Sequence, residues 1–332
     1  MQPRLSQQQL LESVLEAVEE SGWQAIIFET EKPFLIRIFN EEIDKSFSLR
    51  IYIWNVTHGG GVARAEDELR IQITPSPITI SGDERTILLG WHAGYQVFVG
   101  FDTNRHVNQA SASPSIQIKE QALVEAHRHS FATYDKDNGE IAIAFQPVFF
   151  VDYALNATTL HATGTMPNEV ELLDQIDSVS EDRIAEVAST KERKEVITQI
   201  KKKYRDSRFR AKVLSAYDRT CAMCGLQLRL VEASHILPVA APQSPDSTTN
   251  GVALCVLHHK AYDRNLVSFD DSYRIEVSEK RVNELTRDNF ISGLIEFRAN
   301  LKPVISLPAD QRDYPNPELI NKSREYRGWA LN

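Results

Sequence analysis

Cysteine is scarce in this 332-residue chain, and long apolar runs and low-complexity tracts are absent. The three cysteines, Cys221, Cys224 and Cys255, fall in one window, which excludes a disulfide framework and fits a reducing compartment. Without a run of about 18 apolar residues the sequence offers no membrane span. The first residues lack the apolar core of a secretory signal. We therefore expect a cytoplasmic protein with no membrane partner.

Negative charge exceeds positive charge, but unevenly along the chain. The formal net charge is −9, and residues 1–165 hold 12 Lys and Arg against 21 Asp and Glu. Between Lys191 and Lys212, ten basic residues accompany three acidic ones. Such a basic stripe is typical of proteins that bind a phosphate backbone, although a solvated helix face shows the same pattern. The predicted DNA contacts are Lys201, Lys202, Lys203, Arg205, Arg208 and Arg210.

The cysteines and one histidine have the spacing of metal ligands. Cys221-x-x-Cys224 is followed further along the chain by Cys255-x-x-His258. Zinc takes four nitrogen or sulfur ligands in tetrahedral geometry, and two such pairs are the usual supply. The sequence therefore predicts a structural Zn²⁺ site. The alternative is a set of free cysteines in the core.

The first half of the chain has the pattern of a β-rich domain with flanking helices. An amphipathic helix is predicted over residues 6–21, between a Ser6 N-cap and Gly22. Strands at regular spacing predict a curled sheet or an open barrel, with a short helix over 122–130. The predicted strands are residues 25–29, 34–39, 49–54, 69–74, 86–91, 96–101, 115–118 and 140–145.

The whole chain has the pattern of an α+β protein in three parts. Residues 1–165 are the β-rich domain, 166–205 a charged helical connector, and 206–332 a C-terminal module with a polar tail. In the module we predict helix 209–217, strands around 231–236, helix 252–262, strand 270–277, helix 283–301 and a short helix 317–326.

The C-terminal module contains motifs in a fixed order. They are Phe209-Arg-x-x-Val213 before Cys221-Ala-x-Cys224-Gly, Ala233-Ser-His235-Ile-x-Pro238, Asn250-Gly-Val-x-Leu-Cys255 and His258-His259-x-x-x-Asp263. In order and spacing they resemble the HNH nuclease module of restriction-type endonucleases. The resemblance implies a ββα-metal finger, in which two strands and a helix hold one divalent cation, often with a structural zinc beside it.

Residues outside the zinc set carry the predicted chemistry. His235 ends a strand-like run and is the predicted general base, since imidazole accepts a proton near neutral pH; a partly buried structural histidine is the alternative. Asn250 is predicted to hold His235 and its loop, to contact the metal, or to form a turn. His259 and Asp263 share one face of a helix and match the family's cation ligands.

The chain departs from the family immediately before the base. Many such nucleases carry His or Asp there as a cation ligand, whereas this chain has Ser234, and a serine hydroxyl is a poor cation ligand. His259, Asp263, DNA phosphate and water would then hold the cation. Glu232 and Asp246 are further candidates.

These motifs predict a metal-dependent DNA endonuclease of restriction or defence type, with Mg²⁺ or Mn²⁺ at the catalytic site. One such site cuts one strand, so double-strand cleavage requires a homodimer or successive nicking. Two alternatives stay open. The protein could be a zinc-knotted DNA-binding module without catalysis, or a nuclease gated by a small molecule that the N-terminal domain senses.

The first half offers three candidate recognition loops, His58-Gly-Gly-Gly61, Gly90-Trp-His-Ala-Gly94 and Asp102–Ser113. Loops at strand ends often form binding sites, and tight turns with packed aromatics are the alternative. Fused to a nuclease, this domain would read DNA sequence or a modified base flipped into an aromatic pocket. Its acidic balance argues against broad phosphate contact. A protein-interaction role is the remaining alternative.

Overall fold

The computed structural model describes residues 4–58, 67–74, 77–80, 82–107 and 114–329. The chain divides into two compact units, Met1–Tyr204 and Arg205–Asn332. Within the described ranges, no helix combines the length and the apolar character that crossing a membrane requires. Parts of the predicted loops that begin at His58 and Asp102 lie outside these ranges.

The first unit begins with a capped amphipathic helix, as predicted. Helix α1 spans Gln7–Glu20. The Ser6 hydroxyl accepts from the Gln9 backbone N–H, and the Gln9 side chain accepts from the Ser6 backbone N–H. These reciprocal bonds satisfy N–H groups that the first helical turn cannot pair.

The remaining elements of the first unit are mostly short strands. The strands are β1 Gln24–Glu29, β2 Phe34–Asn40, β3 Lys45–Asn55, β4 Thr57–His58, β5 Glu68–Gln72, β6 Arg85–His92, β7 Val97–Phe101, β8 Ser115–Lys119, β9 Phe131–Asp135 and β10 Ile141–Phe145. The helices are α2 Thr103–His106, α3 Glu120–His129, α4 Phe150–Ala162, α5 Pro167–Asp174, α6 Glu181–Val187 and α7 Lys191–Ala216, of which α7 begins in the first unit and ends in the second. Each of the eight predicted strands overlaps one of the observed strands, whereas β4 and β9 were not predicted.

The strands form two sheets. One has the order β1-β2-β3-β6-β7-β10-β9, and the other has the order β4-β5-β8. Neighbours in the larger sheet are antiparallel except β3 and β6, which therefore need a crossover connection. Across the described residues the strand order is linear, so the larger sheet does not close on itself.

The side chains of β3 alternate between two cores. Ile51 and Ile53 pack with helix residues such as Val14, whereas Tyr52 and Trp54 pack with residues of the second sheet. Because successive strand residues point to opposite faces, the larger sheet is buried on both sides. Its central strands are consequently continuous apolar runs.

The helices of the predicted connector pack on the first of these cores. Val170, Leu173, Ile184, Ile197 and Tyr204 are all buried there. Apolar burial therefore holds these helices to the first unit as far as Tyr204. The fold class is the predicted α+β class.

Glu140 is a buried carboxylate of the first unit. The Oε1 atom of Glu140 accepts hydrogen bonds from His106 Nε2 and Lys136 Nζ, each at 2.8 Å. Burial alone would raise the pKa of Glu140, but these two donors lower it to about 2. The ionised carboxylate is therefore the form that stabilises the fold.

The second unit is built around a hairpin and a helix. Its elements after α7 are β11 Val231–His235, β12 Gly251–Cys255, α8 Val256–Asp263, β13 Val267–Phe269, β14 Ile275–Val277, α9 Glu279–Arg287, α10 Leu294–Ala299 and α11 Pro317–Tyr326. In the antiparallel hairpin, Val231 lies opposite Cys255 and His235 lies opposite Gly251. Helix α8 follows β12 directly, which completes a ββα arrangement.

Three predicted boundaries in this unit are wrong. Residues 252–255 form strand β12 rather than the start of a helix, because a strand buried on both faces lacks the alternation that identifies strands. The predicted helix 283–301 is two helices, interrupted before α10 by Gly293 in a left-handed conformation. The predicted helix 209–217 is the end of the longer α7.

Gly251 allows β12 to pass close to α7. A Cβ atom there would lie 2.2 Å from Val213 Cγ2 and 3.2 Å from the Phe209 ring. No side chain fits in this space, so the start of β12 packs directly on α7. This approach brings Phe209 beside His235 at the end of β11.

Candidate active site and metal centre

Three thiols and one imidazole converge in the second unit. The Sγ atoms of Cys221 and Cys255 lie 3.5 and 3.2 Å from His258 Nδ1, and Cys224 Sγ lies 4.0 Å from Cys255 Sγ. All four ligand atoms lie within 4.8 Å of one another. Donors around a tetrahedral zinc ion are separated by about 3.4 to 3.8 Å, given its usual bond lengths. The four residues therefore fit a zinc ion.

Local backbone geometry places both ligand pairs. The Gly225 N–H donates to the Cys221 carbonyl at 2.8 Å, which closes a tight turn around the first pair. Gly225 has φ of 84°, a conformation that glycine adopts without strain. Cys255 is the N-cap of α8, so His258 follows in the first helical turn on the same side.

The thiols are crowded as well as partly buried. Burial, together with the proximity of Cys221, raises the pKa of Cys224 to about 12. Burial opposes ionisation of Cys221 too, but hydrogen bonds from His258 and the backbone lower its pKa to about 6. Three neighbouring thiolates repel one another, so a cation is needed to keep all three deprotonated.

His235 ends β11 and is held on two sides. Its Nε2 lies 3.1 Å from Asp246 Oδ1, and its ring stacks on Phe209 with centroids 3.7 Å apart and planes inclined by 11°. The side chain keeps 15 % of its surface exposed. His235 is therefore oriented by the protein without being sealed in the core.

Asp246 connects this histidine to α7. The carboxylate also accepts a hydrogen bond from Arg205 Nε at 3.0 Å. Burial would raise the pKa of Asp246, but its bonds with Arg205 and His235 lower it. The structure thus places Asp246, a candidate cation ligand in the sequence, against the imidazole. We call His235, Asp246 and Phe209 the base group.

Asn250 is fully buried and holds the loop between the two strands of the hairpin. Its Oδ1 accepts from the Leu237 backbone N–H at 2.8 Å. Its Nδ2 lies 2.9 Å from the Pro245 carbonyl, 3.1 Å from Ser244 Oγ and 3.2 Å from the Leu237 carbonyl. These bonds fix the loop that carries Asp246.

A second polar group consists of His259, Asp263 and Glu232, and we call it the cation group. His259 Nδ1 lies 2.6 Å from Glu232 Oε2, and His259 Nε2 lies 3.6 Å from Asp263 Oδ2. The hydrogen bond with Glu232 raises the pKa of His259 and lowers that of Glu232. The other Asp263 oxygen lies 3.6 Å from Arg327 Nη2. Ser234, in contrast, is only 2 % exposed.

The base group and the cation group occupy the same ββα arrangement. His235 and Glu232 are three positions apart on β11, so their Cα atoms are about 10 Å apart and their side chains leave opposite faces of the strand. Within the described part of the chain, no hydrogen bond, ion pair or ring contact joins His235 to His259. The structure therefore assembles the predicted residues into two neighbouring groups.

The predicted DNA contacts all lie on α7. Lys201 donates to the Val179 carbonyl, Lys203 pairs with Asp152 at 3.5 Å, and Arg205 binds Asp246. These three side chains are thus engaged within the protein. Lys202 and Arg210 are exposed.

The candidate loops of the first unit differ in accessibility. Trp91 and His92 of the Gly90–Gly94 loop are buried, which favours the packing alternative. A cleft of about 210 Å³ lies near the start of the His58 loop, and its lining includes Arg4, Trp54, His58 and Arg70. A basic cleft stands out in this acidic half of the chain.

Sequence reasoning missed the roles of two residues in the base group. Phe209 was part of a motif but had no assigned function, and Asp246 was considered only as a cation ligand. Asp246 lies in an irregular loop between β11 and β12, where no periodicity indicates its partner. The one local signal in the sequence for a ring beside His235 was Gly251, because the lack of a side chain there lets Phe209 approach.

Two family models match parts of the chain. The family described as HNH endonuclease matches residues 221–270, and the family described as Methylase-associated X1 matches residues 47–154. A solved structure of a "Modification dependent TagI restriction endonuclease" aligns with 82 % of this chain and 80 % of its own, at 9 % identity and a TM-score of 0.30, too low to support a common fold. No curated protein matches the sequence.

A hairpin, a following helix and an adjoining Cys₃His cluster are the parts expected of the ββα nuclease module predicted from the sequence. With the match at residues 221–270, the chain carries an HNH endonuclease domain, the domain of a phosphodiester hydrolase. The family prediction made from the sequence motifs is confirmed. His235, Asn250, His259 and Asp263 all lie within the matched range.

Proposed function

We propose that the protein is a metal-dependent DNA endonuclease of restriction or defence type. Its second unit would cut DNA, and its first unit would select the DNA to be cut. The observation that carries this proposal is that one ββα scaffold holds both an oriented, partly exposed His235 and the cation group. The description of the family at residues 47–154 as methylase-associated supports a link to DNA methylation.

In this proposal Cys221, Cys224, Cys255 and His258 hold a structural Zn²⁺ ion. Four protein ligands leave no open coordination position for substrate, which is the mark of a structural site. The ligands join the turn before β11 to the junction of β12 and α8. Zinc would therefore stabilise the helix that carries His259 and Asp263.

His235 is the proposed general base. It would accept the proton of the attacking water at Nδ1, because Nε2 is engaged by the protein. Stacking on Phe209 restricts the ring to one plane. Asn250 would act indirectly by fixing the loop against which the ring rests.

His259 and Asp263 are the proposed protein ligands of the catalytic Mg²⁺ or Mn²⁺, with DNA phosphate and water completing the coordination. Glu232 accepts a hydrogen bond from the Nδ1–H group of His259. This bond leaves Nε2 free to face the ligand site, as carboxylate partners of metal-binding histidines do. A bound ion would stabilise the charge that develops on the phosphate and the leaving 3′-oxygen.

Nicking of supercoiled plasmid tests the proposed reaction. The full-length protein should nick DNA with Mg²⁺ or Mn²⁺ and not with excess EDTA. His235→Ala should lose about three orders of magnitude in rate while keeping its zinc content. His129→Ala, which removes a half-exposed histidine of the first unit, is the matched control and should cleave normally. Undiminished cleavage by His235→Ala would remove His235 as the base.

Lys202 and Arg210 are the proposed DNA contacts on α7, since both are exposed and neither forms an ion pair within the described residues. Their charge reversal should weaken DNA binding similarly for all sequences and reduce its salt dependence. Binding by the non-cleaving His235→Ala protein, measured at several salt concentrations, tests this point. Unchanged salt dependence would remove α7 from the interface.

The basic cleft of the first unit is the proposed site of DNA selection. Arg4, His58 and Arg70 would contact phosphate beside a base. Binding of His235→Ala to methylated and unmethylated DNA, with and without Arg70→Gln, tests the assignment. Selection between the two DNAs that persists in Arg70→Gln would place the selection site outside this cleft.

Double-strand cleavage by a homodimer would appear as a rate that rises steeply with protein concentration.

The same cleft favours one second candidate, a nuclease gated by a small anion. Its basic lining suits an anion, and its volume of about 210 Å³, below the roughly 300 to 1,000 Å³ of drug-sized ligand sites, restricts that anion to a small one. Cleavage that requires an added soluble nucleotide would support gating. Full cleavage by protein and Mg²⁺ alone would exclude it.

A further inference from the structure

The proposed base has a carboxylate partner to which the proposed function assigns no role. Asp246 Oδ1 lies 3.1 Å from His235 Nε2. An ionised carboxylate can only accept hydrogen bonds, so this contact requires a proton on Nε2. The lone pair is then left on Nδ1. Within the described residues, Nδ1 has no hydrogen-bond partner.

The Asp246 carboxylate is itself held in place. Arg205 donates to Asp246 Oδ2 from Nε at 3.0 Å and also from Nη2. On the loop side, the carbonyl of Pro245 accepts from the buried Asn250 side chain at 2.9 Å. A side chain fixed at both its carboxylate and its preceding peptide loses little entropy when it binds the imidazole.

The orientation of the ring is fixed by a second, apolar contact. Phe209 stacks on His235 at 3.7 Å between centroids, so the ring can neither tilt nor swing away from Asp246. Among the described residues, Asp246 is the charged group in contact with His235, and Arg205 is the charged partner of Asp246. Phe209 and the opposing Gly251 contribute no charge.

We propose that Asp246 is a positioning residue of the nuclease reaction, which holds His235 in the tautomer and orientation that present Nδ1 to the attacking water. This inference rests on the proposed role of His235 as general base. Asp246 itself touches neither DNA nor water in the reaction. Arg205 keeps the carboxylate directed at the ring.

Single-turnover nicking by the full-length protein tests the proposal. Asp246→Asn keeps the size of the side chain but lets an amide N–H face Nε2, which permits the wrong tautomer. We expect its nicking rate to fall about 10- to 100-fold, with a Kd for DNA within about twofold of the unmodified protein. Asp246→Glu restores a carboxylate and should recover part of the rate. Asp310→Asn, at another arginine-paired carboxylate of the same unit, should not change it.

A measurement independent of cleavage is the ring N–H signal of His235 in ¹⁵N-histidine-labelled protein. His235→Gln assigns the signal. A hydrogen-bonded Nε2–H should exchange slowly with water in the unmodified protein and rapidly in Asp246→Ala. If the unmodified protein does not nick DNA, the proposed function fails, whereas this signal still decides the pairing.

Two results of the nicking assay would overturn the inference. One is an Asp246→Asn protein that nicks at the normal rate. The other is a loss of rate that accompanies lost zinc or weaker DNA binding and that Asp246→Glu does not recover, since that is the behaviour of a structural residue. Slow exchange that persists in Asp246→Ala would equally exclude Asp246 as the partner of Nε2.

Discussion

Removing the Asn250 side chain should lower the free energy of unfolding of the second unit more than removing any exposed side chain of that unit. Asn250→Ala deletes four hydrogen bonds inside a fully buried site. The Leu237 carbonyl keeps its bond from Ser244 Oγ. The Leu237 N–H and the Pro245 carbonyl lose the partner that Asn250 supplied. Each such group costs about 1 to 3 kcal/mol, so we expect a loss of about 3 to 5 kcal/mol including the cavity.

Thiol labelling during urea unfolding reports this unit selectively, because all three cysteines of the chain lie in it. For a unit of this size the expected loss lowers the urea midpoint by roughly 1 to 2 M. Ser244→Ala removes a smaller part of the network and should cost about 1 kcal/mol.

Asn321→Ala, whose side chain makes an exposed bond to Asp271 at 3.2 Å, is the matched control and should be nearly neutral. An Asn250→Ala protein within about 1 kcal/mol of the unmodified one would refute the reasoning. It would mean that water replaces the lost side chain, and that the loop is not fixed by Asn250.

Three further outcomes follow from the packing and charges of the two units. Gly251→Ala should destabilise the second unit by about 1 to 3 kcal/mol in urea, because the new methyl group would overlap Val213. The Glu140 carboxylate has a folded pKa of about 2, below its unfolded value, so its contribution is present above pH 4.5 and is lost as the pH falls towards 2. Glu140→Gln should therefore flatten acid unfolding of the first unit over that range, as measured by circular dichroism. Cys224→Ser should lower the zinc content measured by mass spectrometry, and its rate of nicking should fall with the zinc.

Each of these three predictions has a control variant or a result that would contradict it. Gly82 has open space around the position of a Cβ atom, so Gly82→Ala should be neutral, and a neutral Gly251→Ala would show that α7 moves freely. Persistent acid sensitivity in Glu140→Gln would place the titrating group elsewhere. Full zinc occupancy in Cys224→Ser would exclude Cys224 as a ligand.

The Cys₃His cluster was predictable because its geometry is local. Cys221 and Cys224 share one turn, Cys255 and His258 share another, and only the distance between the two turns depended on folding. His259 and Asp263 were paired for the same reason, since a helix brings residues four apart to one face. Eight of the ten described strands of the first unit were found because buried strands are rich in β-branched and aromatic residues.

The errors have a physical cause as well. Strand β12 is buried on both faces, so its composition suits a helix as well as a strand. Helix α10 exposes Ile295, and apolar residues that do not face a core mislead any prediction from periodicity.

The order of motifs in the sequence determined which residues are available for chemistry: four soft ligands, one histidine before a proline, one asparagine, and a His/Asp pair on a helix. Only the tertiary structure decided how they are used. It directed Asp246 to the imidazole, Glu232 to the far side of His259, and Ser234 into the interior. The reason is that spacing along the chain fixes neighbours within a turn or a strand, whereas partners across a loop are chosen by the packing of the whole unit.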